Sequence, residues 1–464
     1  MTHPAAPSAG AAIAGSYDPG MDWGLLSDCA SDGLGHVVDV AAALLRVANA
    51  TPAETSADHR DAALEAERDL LRARVCALLP LPPAEYLTEV ALGELGAALT
   101  ATRLRPGFAA LTAAHAIDAW CGHRFIDYFR GDRPPLSPGD PVPVVGFPAP
   151  TLAGDDGKRL LRAIGRPTSR PHALTPEDDR SRRLRLAPPE VARFRVRLRW
   201  AEPHLTPIDA SWRFAAAVTN HDLVAEFDCH RYQHGEARVF YPVAPRDPDD
   251  QRARIHRALA AARASRATAL VVPELTTTKA IVDELAGSGA LADLPLCALG
   301  SYHEPGPGPG HNRCRVFARG VEIARHDKFS DYEDPLGHRE HLVADPAAAG
   351  LDVLLAAGAA VIVLICKDAL DQRVAGLVAG LAPTLVLIPA MSTKTRPFET
   401  LAERLADDPQ AFCLVASASG EHAAIFGRPG STPATPPVVK RNASDQRVFV
   451  FTVDGAEVEV PTLV

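Results

Sequence analysis

The stretch 361-VIVLICKD-368 runs five apolar residues straight into a cysteine, a lysine and an aspartate, and two other stretches share its form. In 269-ALVVPEL-275 an apolar run ends at Pro273 and Glu274, and 323-IARHDKF-329 ends at Lys328. Short apolar runs of this kind, bounded by turn residues, predict strands covered on both faces, as in layered α/β sheets. Reactive groups gather just past strand ends in such sheets, because neighbouring strands deliver them to one rim. Glu274 and Lys328 stand 54 residues apart and Lys328 and Cys366 stand 38 apart, enough for strand–helix units between them.

The three residue types make a complete chemical set. A thiolate is a strong nucleophile, but a free thiol near pKa ~8.5 is mostly protonated at neutral pH. A nearby lysine ammonium favours the thiolate and stabilises the oxyanion of a tetrahedral intermediate. A carboxylate in hydrogen-bond reach takes the thiol proton, returns it to a leaving amine and activates water. Cys366 is expected at a strand-to-helix turn, where the amide of Lys367 would be an oxyanion donor beside a helix N-terminus.

These segments resemble the nitrilase superfamily of carbon–nitrogen hydrolases, whose hallmark is a Glu–Lys–Cys triad in this order. The match lies in Pro273-Glu274, in Ile365-Cys366-Lys367-Asp368, and in the intervening pattern Gly300-Ser301, Asn312, Gly320 and Lys328. It covers roughly 235–464. The resemblance implies a four-layer α-β-β-α sandwich and hydrolysis of a non-peptide C–N bond (amide, carbamoyl or nitrile) through a thioester or thioimidate on Cys366. It further implies no cofactor, no metal, a small-molecule amide or nitrile substrate and a homo-oligomer. A second glutamate that orients the lysine is implied between Lys328 and Cys366, either Glu340 or Glu333, with Glu340 preferred. Asn312 and Lys367 are carried as substrate or oxyanion contacts. The chain departs from the family in Lys367, where relatives carry an aromatic residue, and in Thr276-Thr277-Thr278-Lys279 after the glutamate, positions expected to line the pocket.

Outside this region the sequence is organised differently. From about 24 to 130 the apolar spacing is helical, with helices expected over 57–79 and 108–130. Ten prolines between Asp132 and Pro176 mark linker or irregular structure. The run 193-RFRVRLRW-200 alternates with period two, a strand with an arginine face, read as a charge-guarded edge. The expected boundaries are 1–20 as a disordered N-terminus, 21–130 as an all-helical domain of unknown role, 131–234 as Pro-rich linker with an irregular strand segment, and 235–464 as the hydrolase-like α/β domain.

Composition sets the remaining limits. A net charge of −9 excludes a broadly basic, nucleic-acid-binding chain. Eight cysteines without a CxxC pair give neither a zinc site nor a disulfide scaffold, and point to a reduced, cytoplasmic protein. No apolar run is long enough to span a membrane, and the N-terminus lacks a signal-peptide pattern. His303, His311, His326, His338 and His341 crowd one region at spacings that fit no standard metal cluster. A Cys366–His326 protease pairing leaves Glu274 and Lys328 unexplained. Two readings of a different class stay open: a catalytically degenerate binding or assembly module, and a helical half that carries the activity while the α/β half regulates it.

Overall fold

In the computed structural model of the chain the described residues are 23–31, 34–51, 61–81, 84–131, 133–145, 184–209, 211–218, 226–304, 310–334, 336–342, 350–392, 394–407, 411–418, 423–428, 436–441 and 447–460. The expected N-terminus 1–20 and positions 146–183 of the expected linker lie outside them. The protein is mixed α/β and divides into two compact units, one taking in the chain up to Phe129 with Leu136–Val144 and a run ending at Ala192, the other carried by Arg193 onwards with Arg130–Pro135.

The first unit is built on the helices Val37–Ala50, Glu65–Leu78, Glu89–Ala101 and Pro106–Cys121. Ten of the fourteen residues of Val37–Ala50 are buried, and it packs on Pro106–Cys121, itself almost wholly apolar on every face. The all-helical expectation needs correction. Ala30–Ser31, Leu34–His36 and Tyr86–Thr88 form a small antiparallel sheet, and Pro141–Pro143 pairs with Leu184–Leu186. These strands are two or three residues long, too short for a period-two signal to rise above the flanking helices.

In the second unit one sheet has the strand order Tyr302–His303, Asn312–Ala318, Leu296–Leu299, Ala269–Val272, Arg213–Val218, Arg447–Thr452, Glu457–Val458, with Val321–Asp327 paired to Asn312–Ala318. The other has Val438–Arg441, Ala423–Gly427, Phe412–Ser417, Leu385–Ala390, Ala359–Val363, Leu351–Ala356, Val196–Trp200. Their apolar strands are buried along their whole length because each sheet is covered twice. Ala215, Ala217, Leu270, Val272, Cys297 and Leu299 face the helices Pro248–Ala264 and Lys279–Gly287 through Ile255, Leu259, Ile281 and Leu285. The alternate residues face the other sheet: Phe214 stacks on Phe412 at 5.0 Å and Phe426 on Phe451 at 5.2 Å between ring centroids. Arg396–Asp407 packs against the outer strands Phe412–Ser417 and Ala423–Gly427 of the second sheet.

The start of this unit at 235 is also corrected. Arg213–Val218 is a central strand, parallel to Ala269–Val272 and antiparallel to Arg447–Thr452, and Val196–Trp200 ends the second sheet, parallel to Leu351–Ala356. Arg197 and Arg199 there bind the largely buried Asp352 at 2.8 and 3.1 Å, which offsets part of the charge on the edge they line. The segment 193–218 is therefore part of the α/β core, since without it both sheets would lose a strand.

Candidate active site

Glu274 sits one residue beyond Pro273, where the strand Ala269–Val272 turns away. Leu275 takes φ 55° to make that turn. Gly300 stands against it with φ +66°, and a Cβ there would lie 2.6 Å from the Pro273 carbonyl oxygen. Ser301 Oγ accepts the Leu275 amide at 3.2 Å, and Thr276 Oγ1 donates to the Pro273 carbonyl at 2.6 Å. Thr277 Oγ1 donates to the carbonyls of Leu299 and Ser301. Thr276 and Thr277 are buried braces of the turn, and Lys279 is exposed and paired with Asp283.

Cys366 follows the strand Ala359–Val363 by three residues and has φ 46°, in the left-handed region. That conformation costs a non-glycine residue about 1–3 kcal/mol, and such strained strand-end turns hold a nucleophile clear of its own strand. The expected α-helix does not begin here. Cys366–Leu370 is a single 3-10 turn, and the α-helix starts at Gln372, so no long helix dipole points at the thiol. Met391, just past the strand Leu385–Ala390, donates its amide to Glu274 Oε2 at 3.1 Å and also reaches the Cys366 sulfur. The thiol and Glu274 are close enough for each to act on the other's ionisation.

Lys328 is fixed by a residue of the cysteine segment. Fully buried Asp368 accepts the amides of Phe329 at 3.2 Å and Ser330 at 2.7 Å through Oδ1, and meets His326 Nε2 at 2.9 Å through Oδ2. The aspartate two residues after the thiol thus clamps the loop that carries the lysine. Lys328 Nζ donates to Glu274 Oε1 at 2.7 Å and to Glu340 Oε2 at 2.5 Å. Glu340 arrives on the short strand Arg339–Glu340, parallel to Ala237–Pro245. Asn312 Nδ2 lies 2.9 Å from both Glu274 Oε1 and Glu340 Oε1, His303 Nε2 lies 2.8 Å from Glu340 Oε1, and the Tyr332 amide donates to Glu340 Oε2 at 3.3 Å.

Charge and burial act against each other in this cluster. Burial works to discharge Lys328, but the two carboxylates override it and hold the ammonium well above the usual lysine range. Glu340 is likewise penalised by burial, yet Lys328 and His303 bring its carboxyl down to about 2. Glu274 goes the other way: burial pushes it above the usual carboxylate range in spite of Lys328, and the charge of Glu340 adds to the push. Burial, then the Glu274 charge, pushes the Cys366 thiol far up against the pull of Lys328. The resting group is a neutral thiol beside a carboxylate of raised basicity. Lys328 does pull towards the thiolate, but burial and the Glu274 charge outweigh it. Cys297 and Cys413, at about 12, are raised by burial alone and have no charged neighbour to act on them.

Glu274, Lys328, Glu340, Asn312 and Cys366 therefore come together, buried to 5% exposure or less. They do so between two sheets, not at the rim of one: Glu274 and Lys328 leave the eight-stranded sheet and Cys366 the seven-stranded sheet. Glu333 is exposed and stays outside the cluster. Asn312 binds the two carboxylates through its amide nitrogen, so that group is not an oxyanion donor. The Lys367 side chain is exposed and donates to the Asp331 carbonyl at 2.7 Å. The other histidines pair locally, His311 with Asp327, His338 with Asp334 and His341 with Tyr232. Sequence reasoning missed the parts played by His303, His326, Asp368 and Met391; of these only Asp368 carried a signal, its fixed place two residues after the cysteine.

The fold is similar to that of solved amidases. A double mutant of the amidase from Nesterenkonia sp. AN1 in complex with acrylamide matches with a TM-score of 0.39 and 17% identity, over 53% of this chain and 92% of that one. The amidase from Nesterenkonia sp. matches at 0.38 and 18%, over 53% and 93%. A cysteine-to-serine mutant of the Nesterenkonia AN1 amidase from the nitrilase superfamily matches at 0.38 and 17%, over 52% and 91%. No family model and no curated protein matches the sequence.

Proposed function

We propose that the protein is a carbon–nitrogen hydrolase of the nitrilase type, with its hydrolase domain in the C-terminal half arranged as a four-layer α-β-β-α sandwich. The observation that carries this reading is the buried convergence of Cys366, Glu274, Lys328 and Glu340 from four separate segments, with the thiol beside a carboxylate of raised basicity. The substrate is a small amide, carbamoyl compound or nitrile. As the Cys366 sulfur bonds to the electrophilic carbon, the thiol proton passes to Glu274. Two of the three N–H groups of Lys328 hold carboxylates, and the third takes the oxyanion together with the Lys367 amide. Collapse of the adduct breaks the C–N bond, the amine leaves with the proton from Glu274, and water activated by the same carboxylate hydrolyses the thioester; a nitrile proceeds through a thioimidate. Glu340 orients Lys328. No cofactor enters these steps.

Among the described residues no helix is long and apolar enough to cross a membrane. A cytoplasmic homo-oligomer belongs to the same proposal, and sedimentation tests it. The deciding experiment is intact-mass and peptide mapping of the full chain exposed to a panel of small amides and nitriles. An acyl adduct confined to Cys366, with turnover abolished in Cys366→Ala, is the expected result. Retention of more than about a hundredth of the activity in that variant refutes the nucleophile, since loss of a covalent nucleophile leaves only binding and oxyanion effects. A thiol inert to every compound in a folded protein favours the alternative, a binding or assembly module.

A further inference from the structure

We propose that His303 is a positioning residue that keeps Glu340 a permanent anion, so that all proton transfer at the site passes through Glu274; the proposal rests on the hydrolase reading above. Both Glu340 oxygens are saturated: Oε1 meets His303 Nε2 and Asn312 Nδ2, and Oε2 meets Lys328 Nζ and the Tyr332 amide. Glu274, by contrast, gives Oε1 to Lys328 and Asn312, while its Oε2, among the described residues, takes only the Met391 amide, on the carboxylate beside the thiol. The two carboxylates share one lysine and one asparagine, and His303 is the only side chain among the described residues that hydrogen-bonds to one and not the other. It is what makes the pair unequal.

The inequality has a chemical consequence. The ionisable groups facing Glu340 are Lys328, His303 and, across Asn312 and Lys328, Glu274, with Cys366 beyond it. If Glu340 took up a proton, the Lys328 charge would turn wholly onto Glu274 and make it a weaker base for the thiol. A second donor on Oε1 prevents this over the range in which Glu274 must work. His303 stands at the end of Tyr302–His303, whose pairing to Asn312–Ala318 sets His303 opposite Asn312 itself. One register therefore places both Oε1 donors.

The test is the pH dependence of Cys366 alkylation by iodoacetamide in the full chain, read by peptide mapping so that exposed Cys76 serves as an internal control. In His303→Asn the shorter amide falls short of Glu340, whereas in His303→Gln an N–H is restored near the Nε2 position. The expected result for His303→Asn is an acid limb moved upward by about one pH unit or more, with labelling on that limb slowed about tenfold. His303→Gln returns the limb towards that of the wild type. A purely structural role lowers the thermal midpoint of both variants and leaves the limb in place, which overturns the proposal, as does an equal displacement in both. If His303→Asn does not fold, His303→Leu, which fills the site without a donor, is read against His303→Gln in its place, and a limb unmoved in His303→Leu refutes the proposal. A folded wild type whose Cys76 labels while Cys366 never does refutes the hydrolase reading itself, and this proposal with it.

Discussion

Replacing Lys328 by methionine keeps most of the aliphatic stem and removes the charge from between two buried carboxylates. At the observed contacts of 2.7 and 2.5 Å each attraction is about 6 kcal/mol at an effective dielectric of ~20, and most of it is offset by the loss of hydration. Removing one partner of such a buried arrangement costs about 3–5 kcal/mol. The protonation of Glu340 gives a similar figure: a carboxyl held at about 2 against an ordinary 4.5 contributes about 3 kcal/mol at neutral pH. Spread over a domain of this size, the loss lowers the thermal midpoint by on the order of 10 °C. The pH dependence gives the sharper test. In the wild type the Glu340 contribution is present above 4.5 and is lost as pH falls towards about 2. In Lys328→Met the largest opposing charge is gone. Glu274 titrates still further above its unfolded value, so its contribution is present at acid pH and lost as pH rises, while Glu340 keeps only what His303 and the neutral donors give it. Thermal midpoints followed by circular dichroism should therefore converge on acidification and diverge towards neutral pH. A variant as stable as the wild type at neutral pH, or a gap that ignores pH, refutes the charge cluster described above.

Two further substitutions probe the braces of the site. Gly300→Ala forces a Cβ to within 2.6 Å of the Pro273 carbonyl at a φ of +66°, so it should destabilise by at least about 1–3 kcal/mol and slow Cys366 alkylation by moving Glu274; normal stability and labelling would show that the turn relaxes freely. Asp368→Asn turns a buried acceptor of three bonds into a group with an NH2 facing at least one donor, costing about 1–3 kcal/mol and releasing the Lys328 loop. Its effect should fall on the maximal rate of the Cys366 reaction, and a change confined to substrate affinity would refute the clamp.

Glu274 and Cys366 were legible because each ends an apolar run, a pattern that local burial imposes directly on sequence. Val361–Ile365 and Ala269–Val272 read as strands for that reason, and the order Glu274, Lys328, Cys366 carried the resemblance. Arg213–Val218 did not read as a strand, although it is central. Its Phe214-Ala215-Ala216-Ala217 core is poor in β-branched residues, since Ala215 and Ala217 lie under the helices and only Phe214 has a large volume to fill. The partners of Glu340 were equally out of reach. His303 and Glu340 meet across 37 residues through two separate short strands, and no local pattern encodes that meeting. Read as one of five crowded histidines, His303 looked like a possible metal ligand; tertiary packing gave it a carboxylate.

The Ala390 carbonyl accepts the amide of Glu274 at 3.3 Å as well as that of Ala418 at 3.1 Å, and the next residue, Met391, returns an amide to the Glu274 carboxylate. One oxygen at the end of a strand thus serves its own sheet and the sheet opposite. The chemistry is stitched across the seam, so neither sheet owns it. A folding intermediate with one sheet formed would hold the right residues and have no base beside its thiol. Competence therefore requires both sheets docked together, since neither alone sets a base beside the thiol.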